Sequence, residues 1–306
     1  MTADAVALEA ATARYRPELR VHCYRMLGSV HDAEDLVQET FLRAWRAYDR
    51  FDPERGSLRT WLYRIATNAC LNALEARQRR PLPSDVGTVF DDPDAPFVPG
   101  FEVPWLEPLP TDPAASAVER SRLRLALVAA MQLLPARQRA ALILREALDV
   151  PAAEVAAMLG MTTAAVNSAL QRARARLLEA GIDADAHAEP AAEQRAVVDR
   201  YVAAFERGDV RALSALLAHD VILEMPPMWN WYRGVIAYAG FMERVFRTRG
   251  TAWHTVPVWA NGEAGFAAYD NGRLHTVQIV TVAAGHVTRT TVYADERIFD
   301  LFDLER

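Results

Sequence analysis

Cysteine is scarce. Cys23 and Cys70 are the only two in 306 residues, with no CxxC and no nearby pair of histidines to complete a tetrahedral metal site. Both lie in apolar, helix-like surroundings and are expected to be buried free thiols. The seven histidines are scattered from His22 to His286, none paired four apart, so neither a metal enzyme nor a bound cofactor is expected. No uninterrupted apolar run approaches the roughly 18 to 20 residues of a membrane span. The first 20 residues place acids early and no cationic stretch before an apolar one, unlike a secretory signal. The expectation is a cytoplasmic protein without membrane association. Lysine is absent altogether: all 34 cations are arginine, set against 40 acids for a formal net charge of −6.

What is present suffices for two or three domains. An apolar fraction of 51% with 24% charged residues can bury a sizeable core, which excludes a wholly disordered or collagen-like chain. The charge is unevenly spread: residues 1–80 carry +2, 81–117 carry −7 with no arginine, 118–180 carry +4, and 181–306 carry −5. The acidic block is crowded with proline and shows no sustained period, so it reads as a linker. Phe97, Phe101, Trp105 and Leu106 are nonetheless too apolar for a purely solvated tether. The WLEPLP stretch either docks on a neighbouring domain or remains free.

Residues 118–182 are the most informative. Leu133, Leu134, Pro135, Ala141, Leu142, Leu144 and Leu148 mark one amphipathic helix, and VPAAEVAAMLG a short second one. Gly160 stops that helix in a left-handed turn, and Thr162 or Thr163 caps a third whose Val166 and Leu170 face the same core. This is either a helix-turn-helix offering polar residues to a major groove or a plain helical hairpin with a solvated arginine face. Earlier in the chain, Ser29 and Asp32 begin a helix running to about Tyr48, with Val37, Phe41, Ala44, Trp45 and Tyr48 on one buried face. Leu58, Trp61, Leu62, Ile65, Ala66 and Ala69 repeat the pattern. The opposite side of that helix carries Arg64, Asn68 and Asn72, a line of donors suited to phosphates and unpaired bases or simply a solvated face.

DAEDLVQETFLRAW, then GSLRTWLYRIATNACLNALEARQRR, then LLPARQRAALILREALDVPAAEVAAMLGMTTAAVNSALQRARARL resemble, in order, regions two and four of extracytoplasmic-function (ECF) sigma factors, the promoter-recognition subunits of bacterial RNA polymerase. The resemblance implies two all-α domains, residues 1–80 and 118–182, around the linker 81–117. It implies that Asp32, Asp35, Leu36, Gln38, Glu39, Thr40 and Phe41 meet the clamp helices of the polymerase largest subunit, with the flap as a further core contact. It implies that Trp61, Arg64, Asn68 and Asn72 hold the melted minus-ten strand. Thr163, Ala164, Ala165, Asn167, Ser168, Gln171, Arg172 and Arg174 would read the minus-thirty-five element as duplex. Two departures stand out: Asn167, Ser168 and Ala169 replace the cation, serine and arginine common there, and Pro151 replaces a capping serine. The latter leaves Asp149, with Pro151 at the first helical position, to start that helix.

Residues 190–306 read as helices followed by a meander sheet, an α+β domain. Asn261-Gly262, Asn271-Gly272 and Ala284-Gly285 mark its hairpin turns. The order, with HDVILEMPP, resembles the SnoaL-like branch of the nuclear-transport-factor-2-like cone folds. That resemblance implies a curved, mainly antiparallel sheet around a cavity, which in relatives either binds ligands or catalyses. Trp229, Trp231, Tyr232, Trp253, His254 and His275 are candidates for its mouth, and Trp105 and Leu106 for an interdomain contact. Asp220, Glu224, His254 and His275 supply the acids and bases a catalyst would need. Three roles stand open for the domain: structural, ligand- or protein-binding, and enzymatic. The expectation overall is a sigma factor, not an enzyme, that binds core polymerase and promoter DNA and is modulated in cis by its C-terminal domain. The rival is a SnoaL-like isomerase, hydrolase or ligand sensor fused to a DNA-binding module.

Overall fold

The computed structural model describes residues 12–54, 56–75, 79–182 and 191–305. The first eleven residues, on which the reading against a secretory signal partly rests, lie outside them. The chain forms two compact units: Met1–Arg80 with Ala126–Ala184, and Pro81–Leu125 with Asp185–Arg306.

The first unit is helical. Helices α1 (Arg16–Leu27), α2 (Val30–Arg46) and α3 (Leu58–Glu75) pack through Leu19, Cys23, Met26, Val37, Leu62, Ala66 and Cys70, all buried. Gly28 ends α1 at φ 72°, a left-handed backbone that costs glycine no Cβ clash. Ser29 then starts α2, its Oγ accepting from the Asp32 N–H at 3.1 Å. Helices α4 (Leu125–Gln132), α5 (Ala136–Leu142), α6 (Ala152–Leu159) and α7 (Thr163–Glu179) follow. Arg139 on α5 is buried, and its guanidinium donates to Gln132 Oε1 at 2.7 Å, to the Gln132 carbonyl at 2.9 Å and to the Met26 carbonyl at the end of α1. Burial pulls its pKa down to about 10, still far above neutrality, so the cation persists and serves as a polar rivet between α1 and α5.

The turn between α6 and α7 follows the sequence reading: Gly160 has φ 61°, and the Thr162 hydroxyl accepts from the Ala165 N–H at 3.1 Å. The start of α6 does not. Asp149 takes φ 52° and makes no cap; Pro151 is itself the residue before the helix, its carbonyl receiving Glu154 N–H and Val155 N–H. The expected buried face of α2 also needs correction. Val37 and Ala44 are buried and Phe41 partly so, but Trp45 is 56% exposed and Tyr48 38%.

The second unit carries α8 (Ala191–Glu206), α9 (Val210–Ser214), β1 (Leu217–Glu224), β2 (Trp231–Arg233), α10 (Val235–Arg249), β3 (Trp253–Ala260), β4 (Glu263–Asp270), β5 (Arg273–Ala283) and β6 (His286–Tyr293). The sheet order is β2-β1-β6-β5-β4-β3, antiparallel except for the β1–β6 pair. Both residues of each turn have positive φ: Asn261 56° and Gly262 70°, Asn271 50° and Gly272 80°, Ala284 50° and Gly285 73°. These are the type I′ hairpins that match strand twist. One sheet face is covered by α8 and α10 around Tyr201, Phe205, Phe241 and Phe266. On the other, Val277, Ile279 and Tyr293 lie beneath Ile298 and Phe299.

The acidic stretch is part of this unit. A Pro-rich backbone offers few N–H groups to a sheet edge, so buried asparagine amides hold it. Asn230 Oδ1 accepts from Val98 N–H at 2.7 Å while its Nδ2 donates to the Pro96 carbonyl at 3.1 Å. Asn261 does the same between Leu109 N–H and the Leu123 carbonyl, both at 2.8 Å. Trp105 meets Trp229 edge-on at 5.0 Å and donates from Nε1 to the Gly100 carbonyl at 2.7 Å. A Cβ on Gly100 would lie 2.8 Å from Trp229 and 2.9 Å from Trp105, so only glycine fits between them.

Candidate functional site

In the helical unit, α2 turns Asp35, Gln38, Leu42 and Trp45 to solvent. Their spacings of three, four and three place them on one face. Leu36, Glu39 and Phe41 flank it half-buried; Glu39 pairs with Arg43 at 2.7 Å, and the Arg16 guanidinium sits 5.3 Å from the Phe41 ring centroid. Two candidates are otherwise engaged. Thr40 is buried, its hydroxyl donating to the Leu36 carbonyl at 2.6 Å, so it belongs to the core and not to a contact face. Asp32 pairs with Arg80 at 2.7 Å.

Helix α3 buries Leu62, Tyr63, Ala66, Ala69 and Cys70 and leaves Arg64, Asn68 and Asn72 exposed in a line along its other side. Trp61, at the start of that line, is half-buried and packs on Phe51 at 5.1 Å and Tyr48 at 6.5 Å between centroids. Three donors leading to an aromatic cluster can bond base edges and phosphates and offer a ring for stacking. Helix α7 buries Val166, Ala169, Leu170 and Ala173 and exposes Thr163, Ala164, Asn167, Ser168, Gln171, Arg172 and Arg174, with Ala165 half-buried. The small polar groups near its start suit the edges of paired bases. Arg174 is pinned to Glu146 at 2.7 Å.

In the sheet unit a cavity of about 290 Å³ opens between α10 and the sheet, lined by Phe205, Leu223, Met225, Phe241, Met242 and Val245, with Trp253 and His275 on one side and Phe97 of the acidic stretch at the mouth. Of the mouth candidates, only Trp253 and His275 line it. Trp229 packs on Trp105; Trp231 donates from Nε1 to the Gly87 carbonyl at 3.2 Å; Leu106 and Tyr232 are buried elsewhere, and His254 is exposed, 6.1 Å from the Tyr269 ring. Strand alternation decides which side chains share a face, but not which of them reach this cavity. No carboxylate lines the cavity. Burial, and then the charge of Arg249, lower the His275 pKa, so this imidazole is neutral at neutral pH. Asp220 is exposed. Glu224 is fully buried and committed, accepting from Arg289 at 2.6 Å, Ser84 Oγ at 2.7 Å, Thr291 Oγ1 at 3.1 Å and Ser84 N–H at 3.2 Å. The four candidate acids and bases do not meet. Asn230, Asn261 and Glu224, which fix the acidic stretch, were not singled out for that role by the sequence. The Asn-Gly pair accounted for Asn261 as a turn residue alone, and PPMWNW carries no pattern.

Among the described residues no cluster of His, Cys, Asp or Glu could hold a metal ion, and no helix is long and apolar enough to cross a membrane.

Comparison with known proteins gives three family matches: Sigma-70 region 2 over residues 12–80, Sigma-70, region 4 over 124–177, and a SnoaL-like domain over 198–301. The ECF RNA polymerase sigma factor SigG of Mycobacterium tuberculosis is 44% identical over 308 residues, covering 96% of this chain and 83% of that protein. SigJ of the same organism is 32% identical over 206 residues, covering 67% of this chain and 61% of its own length. The crystal structure of SigJ superposes with a TM-score of 0.68 at 24% identity, covering 97% of this chain and 99% of that one, a likeness of fold.

Proposed function

This chain belongs to the ECF sigma factors of RNA polymerase, and we propose that three exposed faces of its helical unit divide the work of initiation among them. It binds core RNA polymerase and directs promoter-specific transcription initiation. Within residues 1–80, the Asp35, Gln38, Leu42 and Trp45 face of α2, flanked by Leu36, Glu39 and Phe41, docks on the clamp helices of the largest subunit. A tryptophan more than half exposed beside charged and polar groups supports that role, since such an anchor stabilises an interface when it is desolvated. Asp32 contributes through its pair with Arg80. Within residues 118–182, the exposed side chains of α7 read the minus-thirty-five duplex. The flap of core polymerase is a further contact.

The observation that carries the reading is the α3 line: Arg64, Asn68 and Asn72, all exposed, ending at the Trp61 cluster. An extruded base of the minus-ten strand stacks there while its edge is read by the amides. The test is in vitro transcription with core polymerase across a promoter library. Replacing Arg64, Asn68 and Asn72 together by Ala abolishes promoter opening while leaving core binding and stability unchanged, because exposed substitutions cost within about 0.5 kcal/mol. Reversing Asp35 and Glu39 to Arg abolishes co-purification with core. If either variant behaves as the parent, its assignment is wrong.

The sheet unit, residues 190–306 with the acidic stretch, modulates this activity in cis and is not catalytic; a cavity without a carboxylate supports binding over acid–base chemistry. A chain ending at residue 182 and the Trp105→Ala variant shift promoter-directed transcription in the same direction. Turnover of a SnoaL-type substrate by the intact chain would favour the rival reading.

A further inference from the structure

The cavity of the sheet unit holds an unusual cation. Arg244 lines it, and its guanidinium lies 4.8 Å from the centroid of Phe97 at the mouth. Its Nη1 donates to two carbonyls of the acidic stretch, Pro93 at 2.9 Å and Ala95 at 2.6 Å. Neither acceptor carries charge. The neighbouring arginines are matched, Arg249 to Asp270 at 3.1 Å and Arg247 to Asp94. Among the described residues Arg244 has no carboxylate partner, and its Nε and Nη2 have no hydrogen-bond partner. A guanidinium presents a planar pair of donors along that edge, the geometry of a bidentate carboxylate contact.

The rest of the lining is mostly apolar: Phe205, Leu223, Met225, Phe241 and Met242 form its body, and Thr248, Arg249, His275, Thr276 and Gln278 add the remaining polar groups. At about 290 Å³ it has the volume of roughly ten waters at about 30 Å³ each, the small end of ligand sites. We propose that it binds an amphipathic monocarboxylate of about ten carbons, whose carboxylate takes the Nε–Nη2 edge of Arg244 and whose chain lies against Phe97, so that occupancy fastens residues 93–98 to the sheet unit. The sign of the coupling follows from the division of the guanidinium. The acidic stretch occupies Nη1 and the ligand the opposite edge, so the two do not compete, and the ligand removes the option for Arg244 to swing into solvent. The bound chain also gives Phe97, 47% exposed, an apolar surface to cover. This segment joins the two regions of a sigma factor, so the cavity would report a metabolite's presence to the stretch on which the proposed cis control rests.

The test needs no polymerase, so its failure leaves the sigma assignment intact. Isothermal titration of the full chain with decanoate and with 1-decanol compares acid and neutral isostere, and hydrogen exchange follows residues 93–98. Decanoate is expected to bind saturably and at least about tenfold more tightly than decanol, in keeping with a charge-assisted bond. Arg244→Gln is expected to bring the two within about twofold. Exchange at residues 94–98 slows with decanoate. Phe97→Ala, which removes the apolar surface between ligand and segment, loses the exchange response. No saturable binding, equal affinities in the parent, a preference that survives Arg244→Gln, or exchange unchanged or faster with decanoate overturns the proposal.

Discussion

Replacing Arg289 by Met isolates a carboxylate that is fully buried in the sheet unit. Glu224 is fully buried, and among the described residues Arg289 is its only cationic hydrogen-bond partner, at 2.6 Å. Removing one member of a buried pair costs about 3–5 kcal/mol, because the other charge stays desolvated. The three donors that remain, Ser84 N–H, Ser84 Oγ and Thr291 Oγ1, still hold the carboxylate and set the expectation at the lower end, about 3 kcal/mol. For a unit with an m-value of about 2 kcal/mol/M, the urea midpoint falls by about 1.5 M. The Glu224→Gln, Arg289→Met double variant removes the orphaned charge and keeps an acceptor for Ser84, so it recovers about 2 kcal/mol of the loss. Urea titration of the intact chain by tryptophan fluorescence reads both. A single variant within about 0.3 M of the parent, or a double variant no better than the single, would falsify the view that this pair is a structural lock.

Three further outcomes follow from other sites. His22 is buried, with Nε2 3.0 Å from Thr67 Oγ1, and burial, then the charge of Arg25, lower its pKa to about 3. The unfolded chain therefore takes up a proton between about pH 6.5 and 3 that the folded one refuses; the stability present above pH 6.5 is lost as pH falls, by about 4–5 kcal/mol over the window, and His22→Gln flattens the urea midpoint against pH. Ala284 sits at φ 50° in an exposed type I′ turn, so Ala284→Gly stabilises by about 0.5–1 kcal/mol and raises Tm by about 2–4 °C in calorimetry. Arg172→Ala lowers the salt slope of duplex binding by about one, as loss of a phosphate contact does, and Arg174→Ala by less, because Arg174 is shared with Glu146; a change of promoter preference at constant slope would make them base readers instead.

Much of this fold is legible in the sequence because local chemistry decides it. Asn-Gly at two turns, Gly160 before Thr162, and Ser29 before Asp32 each meet a backbone requirement that few residues satisfy, and each appears where expected. The α3 line and the α7 face are legible for the same reason, since helical period fixes which side is free. Periodicity does not distinguish an apolar side that packs inward from one kept for a partner. Trp45 continues the spacing of Val37 and Ala44, yet stands 56% exposed. The strand Trp231–Arg233 is too short to show a period. The acidic stretch is opaque because its partners, Asn230, Asn261 and Glu224, lie more than a hundred residues downstream and act through side-chain amides, a carboxylate and isolated main-chain bridges rather than a continuous ladder.

The docking of the acidic stretch also orders events in time. Ser84 bonds to Glu224 and Arg289, 140 and 205 residues ahead of it in the chain. At about 5–20 residues per second on the ribosome, the segment waits roughly 10–40 s after its own synthesis before its last partner emerges. Throughout that interval Trp105 and Leu106, buried in the finished fold, have no sheet to cover them. Seven acids and the prolines around them disfavour strand pairing with neighbouring chains, as charges and proline do at exposed edges. The composition that makes the segment read as a tether thus suits it to its unpartnered interval, and its aromatic residues suit it to the finished fold.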